Sequence, residues 1–390
     1  FLESTTFVSN GVVRGASGEK YYGGAISIFA PAILNFTIFQ VNMSFNYAIH
    51  SEGGVIYVKV YDSPEPLKLF IMNCNAHFNN ASLDGGFLKL DANLQLREGH
   101  TEIQVNQSNI THNQCQNCNY GGVFVMAIHS EFVLEDHNTI LFSETTLEKN
   151  IARGGGILSI RLQSGNFLIA MSDVSVIYNK ASISTICMQN VDNSKISESD
   201  ISIEMTDFTA KSNLLIPSDV VKTSGAACIH IDFLSPLGKV HIVFVKLQLE
   251  NNQGIGAYGA GIAIVVPPIN AKINLIQGTF IQNQGGDRAQ GGALYISFLT
   301  SRTILTKISD LPQIEIQDCY FADNIASQGG SVYIKPPQNI YNKGCLTMTN
   351  STFDCCNLTR FTNVAQNTTH MYSGLASTLN NVAFHERTDR

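Results

Sequence analysis

Charge is the scarcest commodity in this chain. Only 14% of its 390 residues are Asp, Glu, Lys or Arg, against about 25% in an average soluble domain. The formal charge is −7, and no Lys/Arg-rich cluster occurs, so nucleic acid and anionic lipid are not expected as partners. No long apolar helix is readable either. The longest uncharged stretch, Tyr21 to Ser51, contains Pro31, Asn35, Thr37, Gln40 and Asn42, and Leu34, Phe36 and Ile38 alternate at its centre. That pattern predicts a buried strand and no membrane span. The chain opens on Phe1 with no signal peptide, which reads as a processed product or an excerpt.

Catalytic signatures are missing as well. There is no H-E-x-x-H and no G-x-S-x-G. Cys115-x-x-Cys118 has no second pair at zinc-finger spacing. One short stretch, GIGAYG (Gly254 to Gly259), matches the dinucleotide fingerprint G-x-G-x-x-G. A phosphate cradle needs a helix after those glycines. Here an alternating strand, Ile262 to Val266, and two prolines follow. No cofactor, metal or catalytic residue is expected.

A repeat is present instead. Gly-Gly recurs at Gly23, Gly53, Gly85, Gly121, Gly155, Gly291 and Gly329, with weaker copies at Ala226 and Gly259. Apolar residues then occupy every second position: Ile56, Val58, Val60; Leu158, Ile160, Leu162; Leu294, Ile296, Phe298. Period 2 predicts a strand with one buried face. A second element, apolar-x-x-Asn, precedes many of the pairs and ends at Asn113, Asn150, Asn179, Asn252, Asn283 and Asn324. No segment shows a convincing amphipathic helix. Each unit is too small to bury its own apolar face, so units must stack.

The fold class expected is therefore all-β, a right-handed parallel β-helix solenoid of about eleven coils, on the order of 50 Å long at about 4.8 Å per coil. Residues 1–20 are expected as an N-terminal cap or flank, 21–335 as the β-helix, and 336–390 as the last coils and C-terminal cap. Glycine suits a corner needing positive φ and close approach. A column of stacked Asn at another corner would satisfy turn polar groups.

The pairing of F-x-x-N (Phe280 to Asn283, Phe321 to Asn324) with GGAI, GGAL and GGSV at Gly23, Gly291 and Gly329 resembles the repeats of chlamydial polymorphic outer-membrane proteins. That resemblance covers most of residues 20–335. It implies a β-helix of the autotransporter-passenger kind, acting as a surface adhesin. Similar repeats occur in large secreted eukaryotic proteins. The chain shows no C-terminal β-barrel segment of the bacterial kind, and it carries sequons.

Eight sequons, at Asn35, Asn42, Asn80, Asn106, Asn109, Asn350, Asn357 and Asn367, and nine cysteines together favour a secreted, N-glycosylated, disulfide-containing protein. Cys115 with Cys118 reads as a turn disulfide or as two bridges to neighbouring coils. Cys187 is expected to bridge Cys228, and Cys345 to bridge Cys355 or Cys356.

Outward positions after the glycine pairs read Ser27; Tyr57, Lys59; Lys89, Asp91; Ser159, Arg161; His230, Asp232; Tyr295, Ser297; Tyr333, Lys335. These are expected to face solvent. They hold no paired carboxylates of the kind glycoside cleavage uses, and His230 with Asp232 is the best dyad. The function expected is that of a non-enzymatic extracellular structural or adhesive glycoprotein, which could be a subunit of a surface coat or filament. Its partners would be itself, other surface or matrix proteins, or glycans. The alternative is a polysaccharide-binding or polysaccharide-degrading β-helix.

Overall fold

The computed structural model describes residues 1–13, 22–30, 34–49, 51–63, 66–94, 100–116, 121–130, 138–163, 165–190, 200–216, 225–233, 238–254, 258–266, 270–286, 289–298, 312–327, 330–335, 346–355 and 377–386. Their secondary structure is strand and turn, without a helix. Four parallel sheets stack along the molecule, with 12, 12, 7 and 10 strands, the seven-stranded one reaching from Gly11–Val13 to Leu214–Leu215. One coil shows how they follow each other. Leu67–Met72 lies in the first sheet, Asn75–His77 in the second, Asn80–Ala81 in the third and Leu88–Leu94 in the fourth. The chain is a parallel β-helix.

Register is kept from coil to coil. Leu69 pairs with Ile103, Ile103 with Ile140, Ile140 with Ile169 and Ile169 with Ile203. Like residues therefore stack on like, and every second side chain enters one continuous core running from Ile38 to Phe353. Each enclosed Val, Leu, Ile or Phe contributes about 1.5–3 kcal/mol. Phe280, Phe321 and Phe353 form a parallel ring stack at 4.8 and 4.7 Å inside it.

The two longest sheets hold one strand more than the eleven coils expected. Residues 1–13, expected as a cap or flank, build a full rung: Leu2–Glu3, Thr6–Val8 and Gly11–Val13 pair with the next coil in three sheets. At the other end, Leu346–Thr349 and Ser377–Asn380 continue the first sheet, so 336–390 carries at least two further rungs. The stretch from Tyr21 to Ser51 gives the short strands Ile26–Ala30, Leu34–Phe39, Asn42–Ser44 and Tyr47–Ile49. Among the described residues no helix is long and apolar enough to cross a membrane.

Three corners join the short strands, and each has its own chemistry. Between the first and second sheets one residue takes a left-handed conformation, as Asn73 (φ 54°), Asp173 (54°) and Asp207 (51°) do. Between the second and third sheets the same happens at Phe78 (55°), His112 (56°) and Tyr178 (56°). A single left-handed residue turns the chain from one sheet into the next.

The third corner is the glycine pair. At Gly53 φ is +71°, and an added Cβ would lie 2.7 Å from the carbonyl oxygen of Ile56. At Gly54 the obstacle is the next coil, because a Cβ would stand 2.3 Å from the Gly86 oxygen. The first glycine thus serves the turn and the second serves the stack. GIGAYG occupies the same place. Gly259 (φ +60°) takes the turn, Ala260 stands where Gly54 stands, and Gly261 meets the Ala293 oxygen. Residues 255–257 lie outside the described residues.

The asparagine that follows each second-corner residue builds a buried ladder. Asn46, Asn79, Asn113, Asn150, Asn179, Asn213, Asn252 and Asn283 are fully enclosed, and Asn324 nearly so. From Asn46 to Asn283 each Nδ2 donates to the Oδ1 of the next coil's Asn, as in Asn179 to Asn213 at 3.1 Å, and to a carbonyl of the previous coil, as in Asn179 to Leu147 at 2.8 Å; Asn324, the last rung, donates to the Phe280 carbonyl at 2.9 Å. Each Oδ1 also accepts the backbone N–H of the Asn before it, as at Asn150 to Asn179, 2.9 Å. The side-chain amides of the interior rungs thus use both protons and accept two hydrogen bonds apiece, as buried polar groups require.

Candidate functional site

The fourth sheet carries the outward stripe in which the sequence placed its candidate chemistry. Two rows run along it. Tyr57, Lys89, Val125 and Ser159 stand in register and lead to Cys187 and His230. Lys59, Asp91, Ala127 and Arg161 form the parallel row, leading to Gln189 and Asp232.

The first row does not face solvent as expected. Tyr57, Lys89, Ser159, His230 and Tyr295 are all buried. At three corners the covering group is the residue just before the glycine pair. Tyr22 stacks on Tyr57 at 4.3 Å, and Tyr258 on Tyr295 at 4.6 Å. Asp84 reaches Lys89 at 3.1 Å, an ion pair almost wholly enclosed. The positive φ of the first glycine aims its predecessor back over the sheet, so the alternation read from the strand alone misses this second layer. Burial pushes the Tyr57 phenol well up, and the negative charge of Glu52 adds to that. Burial likewise raises Tyr295, with Tyr258 and Tyr333 as like neighbours.

His230 and Asp232 come together, at 3.7 Å between Nε2 and Oδ2. That is an ion-pair distance and too long for a hydrogen bond. His230 is 3% exposed. Its Nδ1 and the Oδ1 of Asp232 are enclosed with no hydrogen-bond partner among the described residues. Cys187 sits opposite His230 in the neighbouring strand. Burial pushes its thiol up to about 12, Asp232 adds to the rise, and Arg161 opposes it. A nucleophilic cysteine needs the reverse, a depressed pKa at an accessible position. As placed, the trio holds a neutral, enclosed thiol. Among the described residues no three His, Cys, Asp or Glu are arranged to hold a metal ion.

The expected Cys187–Cys228 bridge is not formed, and both thiols are free. The reason lies at the glycine corner. Val55 and Ile56 both bond to the Phe87 carbonyl, and both point into the core. Cys228 occupies the equivalent of Val55 and faces inward, while Cys187 lies on the outer face. A sheet separates the two sulfurs. Cys115 is disulfide-bonded, with its partner outside the described residues. Cys118, Cys345 and Cys356 lie outside them too, as does the side chain of Cys355.

Two further free thiols, Cys74 and Cys319, have a role that sequence reading missed. At the first corner Ser108 and Ser351 donate to the carbonyl two residues back, at 2.9 Å each. The thiols of Cys74 and Cys319 make the same bond at 3.2 Å. They are hydroxyl substitutes in a turn.

The sequons divide by exposure. Asn35, Asn42, Asn109 and Asn350 are exposed, whereas Asn80 and Asn106 are half-buried. The Oδ1 atoms of Asn80 and Asn106 are enclosed. Asn357 and Asn367 lie outside the described residues. Searches against protein-family models, curated proteins and solved structures found no match to this chain.

Proposed function

We propose that the chain is a non-enzymatic extracellular rod, a structural or adhesive glycoprotein whose faces and glycans make its contacts. The observation that carries this reading is the uninterrupted stack. One core and one asparagine ladder run through the molecule, and both repeat coil by coil. A solenoid of that kind resists bending between neighbours and presents long linear edges. The resemblance of the glycine and F-x-x-N repeats to surface adhesins points the same way. The exposed sequons and the disulfide at Cys115 suit an oxidising, glycosylating compartment.

Two experiments test the reading. Intact mass of the native protein before and after enzymatic deglycosylation is expected to fall by several glycans, and an unmodified native mass would overturn the extracellular assignment. Electron microscopy of the purified protein is expected to show short rods, free or joined end to end. Compact particles without a long axis contradict a mechanical role.

A further inference from the structure

A cleft of about 420 Å³ opens on the side of the rod between the second corner and the third sheet. It spans three consecutive coils. Tyr178, Ser212 and Asn251 are their corner residues, left-handed at φ 56°, 54° and 54°. Lys180, Leu214 and Gln253 are the outward residues of the third sheet, in register with one another. The depression follows from side-chain size. Tyr178 and Lys180 are long, and Ser212 in the next coil is short. The same corner carries Phe45 and Phe78 in other coils, so a serine here leaves room that a ring would fill.

The lining is chemically one-sided. Its backbone is spent, because the N–H groups of Ser212, Leu214 and Gln253 donate to the carbonyls of Glu250, Asn179 and Asn213. The buried Asn213 amide belongs to the ladder. The Tyr178 and Ser212 hydroxyls, the Lys180 ammonium and the amides of Asn251 and Gln253 are different. Among the described residues none of these five side chains has a hydrogen bond or ion pair inside the protein. Neighbouring lysines are neutralised, Lys149 by Glu148 at 2.8 Å, Lys211 by Glu250 at 3.0 Å and Lys246 by Asp207 at 3.4 Å. No acid lines the cleft, so Lys180 is the one charge among its lining residues.

From this arrangement we infer that the cleft binds a small monocarboxylate rich in hydroxyl groups, of the sugar-acid class. One uncompensated ammonium calls for one negative charge. A phosphate is ordinarily held by arginine forks or free backbone N–H groups, and the cleft offers neither. A polyanion would meet the repulsion of a chain with formal charge −7. Hydroxyls and amides both donate and accept, which matches the needs of sugar hydroxyl groups. The volume falls in the lower part of the ligand-pocket range, about 300–1,000 Å³. No sequon falls between Asn109 and Asn350, so no N-glycan springs from the coils that form the cleft. The ligand is a free sugar acid or the acidic end of a glycan, and both present the same carboxylate and hydroxyls.

The inference rests on the contact-making reading of the rod and adds the class of ligand. It is tested by ligand-detected NMR titration of the native protein. The probes are glucuronate, galacturonate and N-acetylneuraminate, the methyl glycoside of each, glucose and galactose as neutral rings, and acetate as a bare carboxylate. At least one of the three acids is expected to bind, with the neutral rings and acetate roughly tenfold or more weaker. Binding of the methyl glycoside as well assigns the site to a glycan end, and binding of the free acid alone assigns it to a free sugar acid. Lys180→Met keeps the stem and removes the charge, and should weaken binding roughly tenfold or more. Lys180→Arg should keep most of it. Ser212→Phe should abolish binding by filling the cleft, in a corner that already accepts Phe45 and Phe78. Circular dichroism should be unchanged in all three variants, and binding should weaken at about 0.5 M salt. No binding of any acid, equal binding of a neutral ring or of acetate, or undiminished binding in either Lys180→Met or Ser212→Phe overturns the proposal. None of these outcomes touches the mass and imaging results on which the rod itself stands.

Discussion

Replacing Asn179 by alanine strikes the centre of the asparagine ladder. The Asn179 side chain takes part in four hydrogen bonds. Its Nδ2 donates to the Leu147 oxygen at 2.8 Å and to Asn213 Oδ1 at 3.1 Å. Its Oδ1 accepts from the Asn150 backbone N–H at 2.9 Å and from Asn150 Nδ2 at 3.1 Å. Asn213 Oδ1 keeps the Asn179 backbone N–H at 3.0 Å in the variant. Two enclosed groups do not keep a partner: the Asn150 N–H and one Asn150 amide proton. At about 1–3 kcal/mol for each orphaned group, lessened by whatever water enters, the expected loss is about 3 kcal/mol. Because coils interact with their neighbours, the damage should be local before it is global. Amide hydrogen exchange read by mass spectrometry should show protection lost first in residues 147–151 and 176–181. Asn75→Ala, in the partly exposed amide row between Asn42 and Asn109, serves as the control and should cost under about 1 kcal/mol. If Asn179→Ala behaves like that control, the ladder is decoration and the reasoning fails.

Gly54→Ala should be costly through the stack, because its Cβ meets backbone oxygens of Gly86 at 2.3 Å and Asn80 at 2.9 Å. A loss of about 3 kcal/mol or more is expected by thermal unfolding, in the range of strained overpacking. Thiol alkylation followed by peptide mapping should leave Cys74, Cys187, Cys228 and Cys319 unlabelled until denaturant is added, since all four are buried. The same thiols set an alkaline limit. Burial raises Cys187 and Cys319 from 9.0 to about 12, and Cys228 higher still. The unfolded thiols lose protons first, so stability is full below pH 9 and falls as pH rises through the raised folded values. The slope is roughly 1.4 kcal/mol per pH unit for each such thiol, measurable by denaturant titration between pH 8 and 11. Glycopeptide mapping of the native protein should find Asn42 and Asn109 occupied and Asn80 and Asn106 bare, following the exposure of their side chains.

Much of the fold was legible because the residues that build it repeat. Ile56, Val58 and Val60 alternate as a half-buried strand must, and they do so again at Leu158 and Leu294. Part of the ladder was legible too, from the large apolar residue three positions before Asn113, Asn150 or Asn283. Its other members hid behind Met43, Ala76 and Ala210, which fill the same inward position with a weaker signature. Asn10 was passed over with the segment taken as a flank, although Phe7 precedes it in the same spacing.

The candidate site was less legible, for a geometric reason. Period 2 tells which side chains leave the core. It does not tell what lies above them, and here Tyr22, Asp84 and Tyr258, each just before a glycine corner, fold back over the sheet and cover Tyr57, Lys89 and Tyr295. The break in alternation at Val55 and Ile56 likewise turns Cys228 inward, which no count of spacing reveals. The ring-bearing corner was written in the sequence as Phe45, Phe78, His112 and Tyr178, each directly before a ladder Asn.

The most direct test of the account is the chain length of a polysaccharide after prolonged contact with the protein. Mixed-linkage β-glucan, alginate and polygalacturonate would each be incubated with native protein and analysed by size-exclusion chromatography and for new reducing or unsaturated ends. A contact-making rod leaves the length distribution unchanged, even for a polymer that it retains. Shortening that disappears in His230→Ala would make the enclosed His230–Asp232 pair catalytic and contradict the account.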